Sequence, residues 1–270
     1  MPWKRHELNR DFEWESHPGP YRRVTRDEAR EFDERGVFVL EDALTPSTVQ
    51  ALMDAIDPHE SENEASLRQR ESGRFFIERA DEITFTSRLT ARSPFLHDFC
   101  SGEIFRDLAH DLLGPNVQLY VDQSVYKKPG TEALFPWHQD NGYAFIEPQS
   151  YLTCWIALTD TDEENGCPWV VPGIHRLGTL DHRRTELGWV CAENPGGAVS
   201  IPLRAGSIAV FSSLTPHATG PNRSEQVRKS YIVQFAPLGA EVLHRNQSGE
   251  IDRECVDLRP HTFPVLIDGD

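Results

Sequence analysis

Apolar residues recur at helical spacing in three stretches of the first half of the chain. Thr25 and Glu28 form a capping box, and Gly36 is the residue type preferred just beyond a helix end, so a helix is predicted between them. A second helix is predicted after Thr45, a good N-cap that a proline follows in the first turn. Residues 101–113 carry an apolar face and are followed by a glycine, which predicts a third helix.

From about residue 117 onwards the pattern changes to short apolar or alternating runs separated by glycine, proline and asparagine. Runs of this kind are typical of strands in an antiparallel barrel or sandwich. Because helical stretches come first and strands later, without βαβ alternation, we predict a mainly β fold with flanking helices. The predicted strands, including one between the first two helices, are 37–40, 117–127, 151–158, 168–172, 199–202, 207–211 and 230–236.

Other stretches lack clear periodicity. The segment 1–20 is interpreted as an arm or a disordered tail, and residues 21–270 as a single domain, since β-barrels of this length commonly form one. The segment 57–80 is rich in Glu, Ser, Arg and Asn and is interpreted as a loop. Together with 178–198 it is a candidate lid over a bound substrate, and a simple surface loop explains each segment equally well.

The chain is acidic, with 43 Asp and Glu against 27 Lys and Arg and a formal net charge of −16. This balance opposes phosphate backbones and anionic lipid surfaces, so we expect neither nucleic acid nor a membrane as a partner. The five cysteines form no CxxC pair, which is typical of free thiols in a reducing compartment, and no apolar signal or spanning segment is recognised. A cytoplasmic location is expected, and the oligomeric state stays open.

A histidine and an aspartate two residues apart occur in the segment FPWHQDNG. Side chains two apart lie on the same face of a strand, so His138 and Asp140 can address one ion. A second histidine would complete a two-histidine, one-carboxylate set, which leaves positions open for a co-substrate and dioxygen and suits non-haem Fe(II). On its own an HxD pair is a weak signal, because most such pairs are ordinary surface residues.

His217 is the most suitable third ligand among the eleven histidines. It follows the predicted strand 207–211 and precedes a Gly-Pro-Asn turn, a position from which a barrel residue would converge on His138. Taken alone, His217 is better explained as an ordinary histidine near a turn, so the neighbouring residues decide its interpretation.

Arg228 and Thr219 lie close to His217 in the chain. A co-substrate that chelates iron through a 2-oxo acid needs a cation for its distal carboxylate, and a guanidinium pairs with a carboxylate through two charge-assisted hydrogen bonds. Thr219 can donate its hydroxyl to the same carboxylate. The alternative is that Arg228 is a solvated surface arginine, as Arg223 and Lys229 are expected to be.

Four blocks between residues 24 and 237 resemble the phytanoyl-CoA dioxygenase family, a branch of the Fe(II)/2-oxoglutarate oxygenases, and they occur in the family's order. The first block is VTRDEAREFDERGVFVLEDALTPSTVQAL, and the second is LLGPNVQLYVDQSVYKKPG together with FPWHQDNGY, which follows it. The third is CWIALTDTDEENGCPWVVPGIHRLG, in which Ile174 replaces the serine of the family's PGSH turn. The fourth is AGSIAVFSSLTPHATGPNRSEQVRKSYIVQFAP.

The resemblance implies a double-stranded β-helix core (a jelly-roll or cupin-like core), with Fe(II) as metal and 2-oxoglutarate as co-substrate. It implies His138, Asp140 and His217 as the catalytic metal ligands. Arg228, assisted by Thr219, would bind the distal carboxylate of 2-oxoglutarate. The further expected site residues are Trp155, Gln123 and Lys127 or Lys128 around the co-substrate, and Asn141, Tyr143 and Phe145 beside the substrate. Trp155 is equally well explained as a core tryptophan.

The activity implied is hydroxylation of a C–H bond of a small or medium-sized organic substrate, with O2 as oxidant and release of succinate and CO2. Asp140 favours hydroxylation over chlorination, because halogenases of the family carry a small residue at that position. A secondary metabolite or amino-acid derivative is expected rather than an acyl-CoA, since no clustered basic patch is available for the phosphates. The alternatives are desaturation, epoxidation or epimerisation with the same cofactors, a zinc hydrolase, and a non-catalytic jelly-roll binding protein.

Overall fold

The computed structural model describes residues 3–270 and has a mainly β architecture with helices in the first half of the chain. Within these residues the α-helices are α1 (Arg26–Arg35), α2 (Pro46–Arg68), α3 (Pro94–Cys100) and α4 (Glu103–Leu113). The strands are β1 (Val37–Leu40), β2 (Arg74–Phe75), β3 (Glu78–Arg79), β4 (Ile83–Ser87), β5 (Val117–Lys127), β6 (Phe135–His138), β7 (Phe145–Glu147), β8 (Leu152–Ala157), β9 (Pro168–Val170), β10 (Arg183–Thr185), β11 (Gly188–Val190), β12 (Val199–Ser200), β13 (Ile208–Ser212), β14 (His217–Thr219), β15 (Arg228–Pro237), β16 (Glu241–Arg245), β17 (Ile251–Cys255) and β18 (Phe263–Leu266).

The predicted first helix is confirmed as α1. The Thr25 hydroxyl accepts from the Glu28 backbone N–H and the Glu28 carboxylate accepts from the Thr25 N–H, so both halves of the capping box are present. Gly36 ends the helix with a φ of 78°, a left-handed conformation that glycine adopts without strain. A Cβ at this position would also lie 2.5 Å from the Thr215 hydroxyl oxygen, so the close approach requires glycine.

The second helix is longer than predicted. α2 begins where expected but continues to Arg68 and passes through Pro58, so the interpretation of 57–80 as a loop is wrong for its first half. The reason is tertiary packing: Ile56 and Leu67 are buried on the inner face of the helix. Their burial offsets the backbone hydrogen bond that an internal proline removes.

The predicted third helix is confirmed as α4, which Gly114 ends. Phe105 and Leu108 on its apolar face are fully buried. The shorter helix α3 directly before it has no equally clear pattern in the sequence. It begins at Pro94, and the Ser93 hydroxyl accepts from a backbone N–H in its first turn.

Two antiparallel sheets form the core. The larger has the order β1-β13-β8-β15-β5-β4-β3-β2, with β18 also paired to β5, and the smaller has the order β12-β9-β14-β6. Along β8, Cys154 and Ile156 pack into the cluster shared with the helices. The alternate residues Trp155 and Ala157 pack into a second cluster with Val170 of the smaller sheet. The predicted jelly-roll with flanking helices is therefore confirmed.

The predicted strands are confirmed, with ends that differ by a few residues. The strands that the pattern does not reveal include β4, β7, β10, β11 and β14, none of which exceeds five residues. Such short strands carry too few residues for alternation to be recognised. Beside the two main sheets, β17-β16-β7 form a three-stranded sheet and β10-β11 a hairpin within the predicted lid segment 178–198.

The segment before the first helix lies against the barrel. The Asn9 amide donates to the carbonyl oxygens of Leu177 and Thr179, at 2.8 Å each. The Trp14 ring lies edge-on to the buried His175, with centroids 4.4 Å apart. The disordered-tail alternative is therefore wrong for the described part of this segment, because side chains tie it to the loops of the barrel.

All five cysteines carry free thiols, as their spacing predicts. Burial raises the pKa of Cys167 to about 11 and that of Cys191 to about 12, so both stay protonated at neutral pH. Among the helices between residues 3 and 270, none combines the length and the hydropathy that crossing a membrane requires.

Candidate active site

The HxD segment lies where one strand ends and a turn begins. His138 is the last residue of β6, whereas Asp140 starts a 3₁₀ turn, so the prediction that both lie in a strand is correct only for His138. Gln139 between them is extended, with a φ of −107° and a ψ of 145°. Because Gln139 is extended, the side chains of His138 and Asp140 lie on the same side of the chain, as the two-residue spacing predicts.

His217 lies opposite His138. It is the first residue of β14, and the two histidines are Cα partners in the antiparallel ladder of the smaller sheet. Their Nε2 atoms lie 3.8 Å (His138) and 3.7 Å (His217) from Oδ1 of Asp140. The three donor atoms are all within 4.8 Å of one another. The fold thus brings together the three residues predicted as metal ligands.

Backbone carbonyls set the tautomer of both histidines. Nδ1 of His138 donates to the Pro136 carbonyl oxygen at 2.8 Å, and Nδ1 of His217 donates to the Thr215 carbonyl oxygen at 3.0 Å. Because a carbonyl only accepts, each Nδ1 carries the hydrogen and each Nε2 keeps its lone pair for a metal. Burial, with a smaller contribution from His217, lowers the pKa of His138 well below its usual value, so this ring is neutral at pH 7.

Two polar side chains orient the carboxylate. Oδ2 of Asp140 accepts from the Thr153 hydroxyl at 2.6 Å, and the Thr153 oxygen accepts in turn from the Gln234 amide at 3.2 Å. This arrangement leaves Oδ1 for the metal position. Thr153 is two residues before Trp155 on β8, so the period of a strand would have indicated that the two share a face.

The donor set fits a non-haem iron ion. Two imidazole nitrogens and one carboxylate oxygen converge, and all three side chains line one cavity, so the side that faces the cavity is open to further ligands. Two histidines and one carboxylate with open positions are typical of the Fe(II) site of oxygenases.

Arg228 places an unpaired positive charge in the same cavity. Its side chain is buried (1% exposed), so the alternative of a solvated surface arginine is wrong. Nη1 donates to the Val125 carbonyl oxygen and the Ser230 hydroxyl, whereas Nε and Nη2 have no partner within the described residues. Burial lowers the pKa of Arg228 to about 10, which leaves the guanidinium charged at neutral pH. A ligand carboxylate would satisfy both free groups.

Lys127 binds Thr219, one of the residues that line the cavity. Its buried ammonium donates to backbone carbonyl oxygens and to the Thr219 hydroxyl oxygen, at 3.3 Å for the latter. Burial, and then Arg228, lower the pKa of Lys127 well below its usual value. Because Oγ1 of Thr219 accepts from Lys127, the Thr219 hydrogen is free to donate into the cavity that Thr219 lines. Lys128 pairs with Glu60 instead, at 2.5 Å.

The cavity has a volume of about 350 Å³. Besides the metal-ligand candidates, Arg228 and Thr219, it is lined by three more of the predicted site residues, Trp155, Gln123 and Tyr143. The Arg228 guanidinium lies 5.4 Å from the centroid of the Trp155 ring, within reach of a cation–π interaction. Trp155 also belongs to the cluster between the two sheets, so it is both a core residue and a wall residue.

Two residues predicted beside the substrate lie elsewhere. The Asn141 amide donates to the Thr179 hydroxyl at 2.6 Å and accepts from the Ile146 N–H at 3.1 Å, which stabilises the turn after HxD. Phe145 packs against the His6 ring of the N-terminal segment, with centroids 4.9 Å apart. Neither is among the described residues that line the cavity.

An aromatic wall that the sequence pattern does not reveal adjoins the metal-ligand candidates. The rings of Phe85 and Phe135 have centroids 5.3 Å apart, and Phe135 lies edge-on to His138 at 5.0 Å. These rings come from β4 and β6, which are distant in sequence, so no local pattern links them. The β2–β3 hairpin also reaches the cavity through residues 75–78, so this part of the predicted lid adjoins the site.

The comparisons with known proteins agree with this geometry. A phytanoyl-CoA dioxygenase of Arabidopsis thaliana is 23% identical over 246 residues, which cover 77% of this chain and 87% of the relative. A probable alpha-ketoglutarate-dependent hypophosphite dioxygenase of Stutzerimonas stutzeri is 24% identical over 267 residues, which cover 90% of this chain and 89% of the relative.

The solved structure of EvdO2 from Micromonospora carbonacea var. aurantiaca, complexed with 2-oxoglutarate, matches with a TM-score of 0.62 and 22% identity, over 88% of this chain and 96% of that one. The sequence model of the phytanoyl-CoA dioxygenase (PhyH) family matches residues 32–230, which is most of the chain. The chain therefore belongs to the phytanoyl-CoA dioxygenase family, whose members are Fe(II)/2-oxoglutarate-dependent oxygenases.

Proposed function

We propose that this chain hydroxylates a C–H bond of a small or medium-sized organic molecule, with Fe(II) held by His138, Asp140 and His217. The observation that carries the proposal is that these side chains and the unpaired guanidinium of Arg228 line one cavity. A metal site alone would suit many reactions. A separate cationic site in the same cavity suits a co-substrate that chelates the metal and carries a distal carboxylate.

Each part of the cavity has a role in this reaction. Nε2 of both histidines and Oδ1 of Asp140 would hold Fe(II). Nε and Nη2 of Arg228, together with the Thr219 hydroxyl, would hold the distal carboxylate of 2-oxoglutarate. When bound, Fe(II) and 2-oxoglutarate supply the activation of O2, and the balanced outcome is a hydroxylated substrate, succinate and CO2.

The surrounding residues orient these groups and exclude water. The hydrogen bond from Thr153 keeps Oδ2 of Asp140 occupied and Oδ1 directed towards the imidazoles. The rings of Phe85 and Phe135 form an apolar wall next to His138 and restrict solvent on the substrate side.

Hydroxylation is proposed over the other outcomes that the same cofactors support. Asp140 supplies a carboxylate where chlorination would need a vacant position for halide, so we do not propose a halogenase. Desaturation, epoxidation and epimerisation begin from the same ligands, and product analysis distinguishes them. Desaturation removes two hydrogen atoms and epimerisation leaves the mass unchanged, so both are separated by mass from hydroxylation, which adds one oxygen atom. Epoxidation of an alkene also adds one oxygen atom, so NMR of the product is needed to separate an epoxide from an alcohol.

A zinc hydrolase and a non-catalytic binding protein are the alternatives of other classes. A zinc hydrolase would leave the free N–H groups of Arg228 without a purpose. A non-catalytic binding protein would have no need of three converged metal ligands, so neither alternative is preferred. Consumption of O2 and 2-oxoglutarate by the iron-loaded chain would exclude both of them.

A cytoplasmic location is also part of the proposal, because all five thiols are free, as is usual in a reducing compartment. The net charge of −16 disfavours nucleic acid as a partner. We retain the division into an arm over 1–20 and one oxygenase domain over 21–270. The names of the two relatives refer to molecules as different as an acyl-CoA and hypophosphite, so the substrate has to be argued from the cavity itself.

Anaerobic titration of the purified chain with Fe(II) and 2-oxoglutarate tests the proposal before any substrate is known. We expect the weak visible charge-transfer band of an iron-bound 2-oxo acid in the wild type and its loss in His217→Ala. The matched control is His244→Ala, because His244 is an exposed strand histidine that does not line the cavity. A folded, metal-loaded wild type without the band would overturn the proposal.

A further inference from the structure

Glu78 is a buried carboxylate in the cavity wall that the proposed reaction does not use. It lies on β3, is 8% exposed, and lines the cavity together with the three metal-ligand candidates. Its Oε1 accepts from the Asn63 amide at 2.6 Å and from the Phe85 backbone N–H at 3.0 Å. Oε2 accepts no hydrogen bond from the described residues, and no lysine, arginine or histidine there pairs with this side chain.

The neighbouring buried glutamates differ from Glu78 in this respect. On α2, Glu60 pairs with Lys128 at 2.5 Å and Glu64 pairs with Arg68 at 3.2 Å. A buried charge is costly unless a partner compensates it, and two neutral donors on one oxygen compensate only part of that cost. A cation that enters the cavity would supply the partner that Glu78 lacks among the described residues.

The rings around Glu78 suit the same kind of ligand. Phe75 is its partner in the β2–β3 ladder, and the backbone of Phe85 binds its carboxylate. Phe75, Phe85 and Phe135 all line the cavity, but the Arg70 guanidinium already lies 4.5 Å from the centroid of the Phe75 ring, so Phe85 and Phe135 are the rings offered to a ligand. Aromatic faces attract organic cations, and the attraction increases when the cation is removed from water.

The remaining charges in the wall argue against an anionic substrate. Among the described residues that line the cavity, Arg228 is the only arginine, no lysine is present, and Arg228 is assigned to 2-oxoglutarate. A phosphonate or carboxylate substrate would meet Glu78 without a counter-charge.

We propose that Glu78 and the adjacent phenylalanine rings form the substrate subsite for a protonated amine. This inference rests on the proposed function for its place in the reaction. Glu78 binds the backbone N–H of Phe85, and the Phe85 ring lies 5.3 Å from that of Phe135, which in turn lies 5.0 Å from the His138 ring. Glu78 and His138 line the same cavity, with Phe85 and Phe135 also in its wall. The carbon that reacts belongs to the hydrocarbon part of the amine, remote from its nitrogen.

Three probes of matched shape test the subsite: 2-phenylethylammonium, 2-phenylethanol and phenylacetate. Each is titrated by calorimetry into the chain loaded with Fe(II) and saturating 2-oxoglutarate under argon, so that Arg228 is occupied and no turnover occurs. We expect the cation to bind at least tenfold more tightly than the alcohol, with phenylacetate the weakest. Equal affinities for the three probes in the wild type would overturn the subsite without the need for any variant.

Variants assign the preference to one side chain. Glu78→Gln keeps an oxygen that accepts from Asn63 and Phe85 but removes the charge, and it should reduce the preference for the cation over the alcohol to about twofold or less. Glu82→Gln is the matched control, because it removes one negative charge nearby from a residue outside the cavity lining. A preference that survives in Glu78→Gln would overturn the assignment.

The outcome is separable from that of the proposed function. If the charge-transfer band forms but the cation is not preferred, the subsite is wrong and the oxygenase proposal is unaffected. If the cation is preferred, with or without Fe(II), but no band forms, the subsite is supported and the oxygenase proposal fails.

Discussion

Arg228 is buried with Nε and Nη2 unpaired, and replacing it should weaken co-substrate binding strongly with little or no loss of stability. Burial lowers the pKa of Arg228 from 12.5 to about 10. At about 1.4 kcal/mol per pKa unit, this corresponds to about 3–4 kcal/mol of stability lost by burying the charged form. The loss applies at neutral pH and disappears only as the pH rises above about 10, where the folded chain releases the proton.

Arg228→Met removes this charge from the cavity wall while keeping most of the side-chain volume. The variant loses the hydrogen bonds from Nη1 to Val125 and Ser230, at about 1 kcal/mol each. The two effects have similar size, so we expect the unfolding free energy without 2-oxoglutarate to be within about 1 kcal/mol of the wild type, or higher. Affinity for 2-oxoglutarate should fall by about 100-fold or more, because two charge-assisted hydrogen bonds at about 1.5–3 kcal/mol each are lost.

Denaturant unfolding under argon with Fe(II), with and without 2-oxoglutarate, measures both effects. A ligand present at about 100 times its Kd adds about 2.7 kcal/mol of stability, so the wild type should gain this amount and Arg228→Met almost none. The control Arg223→Met changes an exposed arginine and should behave as the wild type. If Arg228→Met lost more than about 3 kcal/mol without the ligand yet kept the stabilisation by 2-oxoglutarate, Arg228 would be a structural residue and the reasoning would be refuted.

Two further predictions follow from the hydrogen bonds and the burial of other polar side chains. Thr153→Val removes the 2.6 Å hydrogen bond to Asp140 and should weaken Fe(II) binding by about 10- to 100-fold. Competition with a chromophoric chelator measures this affinity, which Thr153→Ser should restore. A valine variant with wild-type affinity would contradict this role. Burial lowers the pKa of His175 and His182 to about 4, so between pH 6.5 and 4 the unfolded chain binds more protons than the folded chain. The unfolding free energy should therefore decrease from pH 7 to pH 5 by about 1–2 kcal/mol per histidine. His175→Phe should reduce this dependence, and identical slopes in both proteins would argue against it.

Local sequence was sufficient wherever the physical cause lies within a few residues. The capping box at Thr25 and Glu28 uses atoms that are three residues apart, so the start of α1 was predictable. The spacing of His138 and Asp140 likewise placed both side chains on one side, even though the strand ends between them. The failure at Pro58 has the opposite cause, because the helix continues through a residue that disfavours it locally.

The third metal-ligand candidate and the cavity wall depend on contacts that are distant in the chain. His217 reaches His138 because β14 pairs with β6, and strand pairing follows from the closure of the whole sheet rather than from the residues around either histidine. Resemblance to a family supported His217 as a ligand in advance, without the strand pairing that brings it to His138. It did not reveal Thr153 or the rings of Phe85 and Phe135. Asn141 was expected beside a substrate from its position just after HxD, and its amide stabilises a turn.

By itself, the sequence determined the mainly β class, the longer strands and the starts of the main helices, the identity of the donor atoms and the type of chemistry that they allow, because these depend on residue type and short-range periodicity. Only the tertiary structure decided which charges are compensated. In the sequence, Arg228 and Glu78 are ordinary charged residues. In the structure both are buried: Nε and Nη2 of Arg228 have no partner, and Oε2 of Glu78 accepts no hydrogen bond from the described residues. Desolvation and hydrogen-bond satisfaction depend on every residue that surrounds a group in space, and the fold brings those residues together from all parts of the chain.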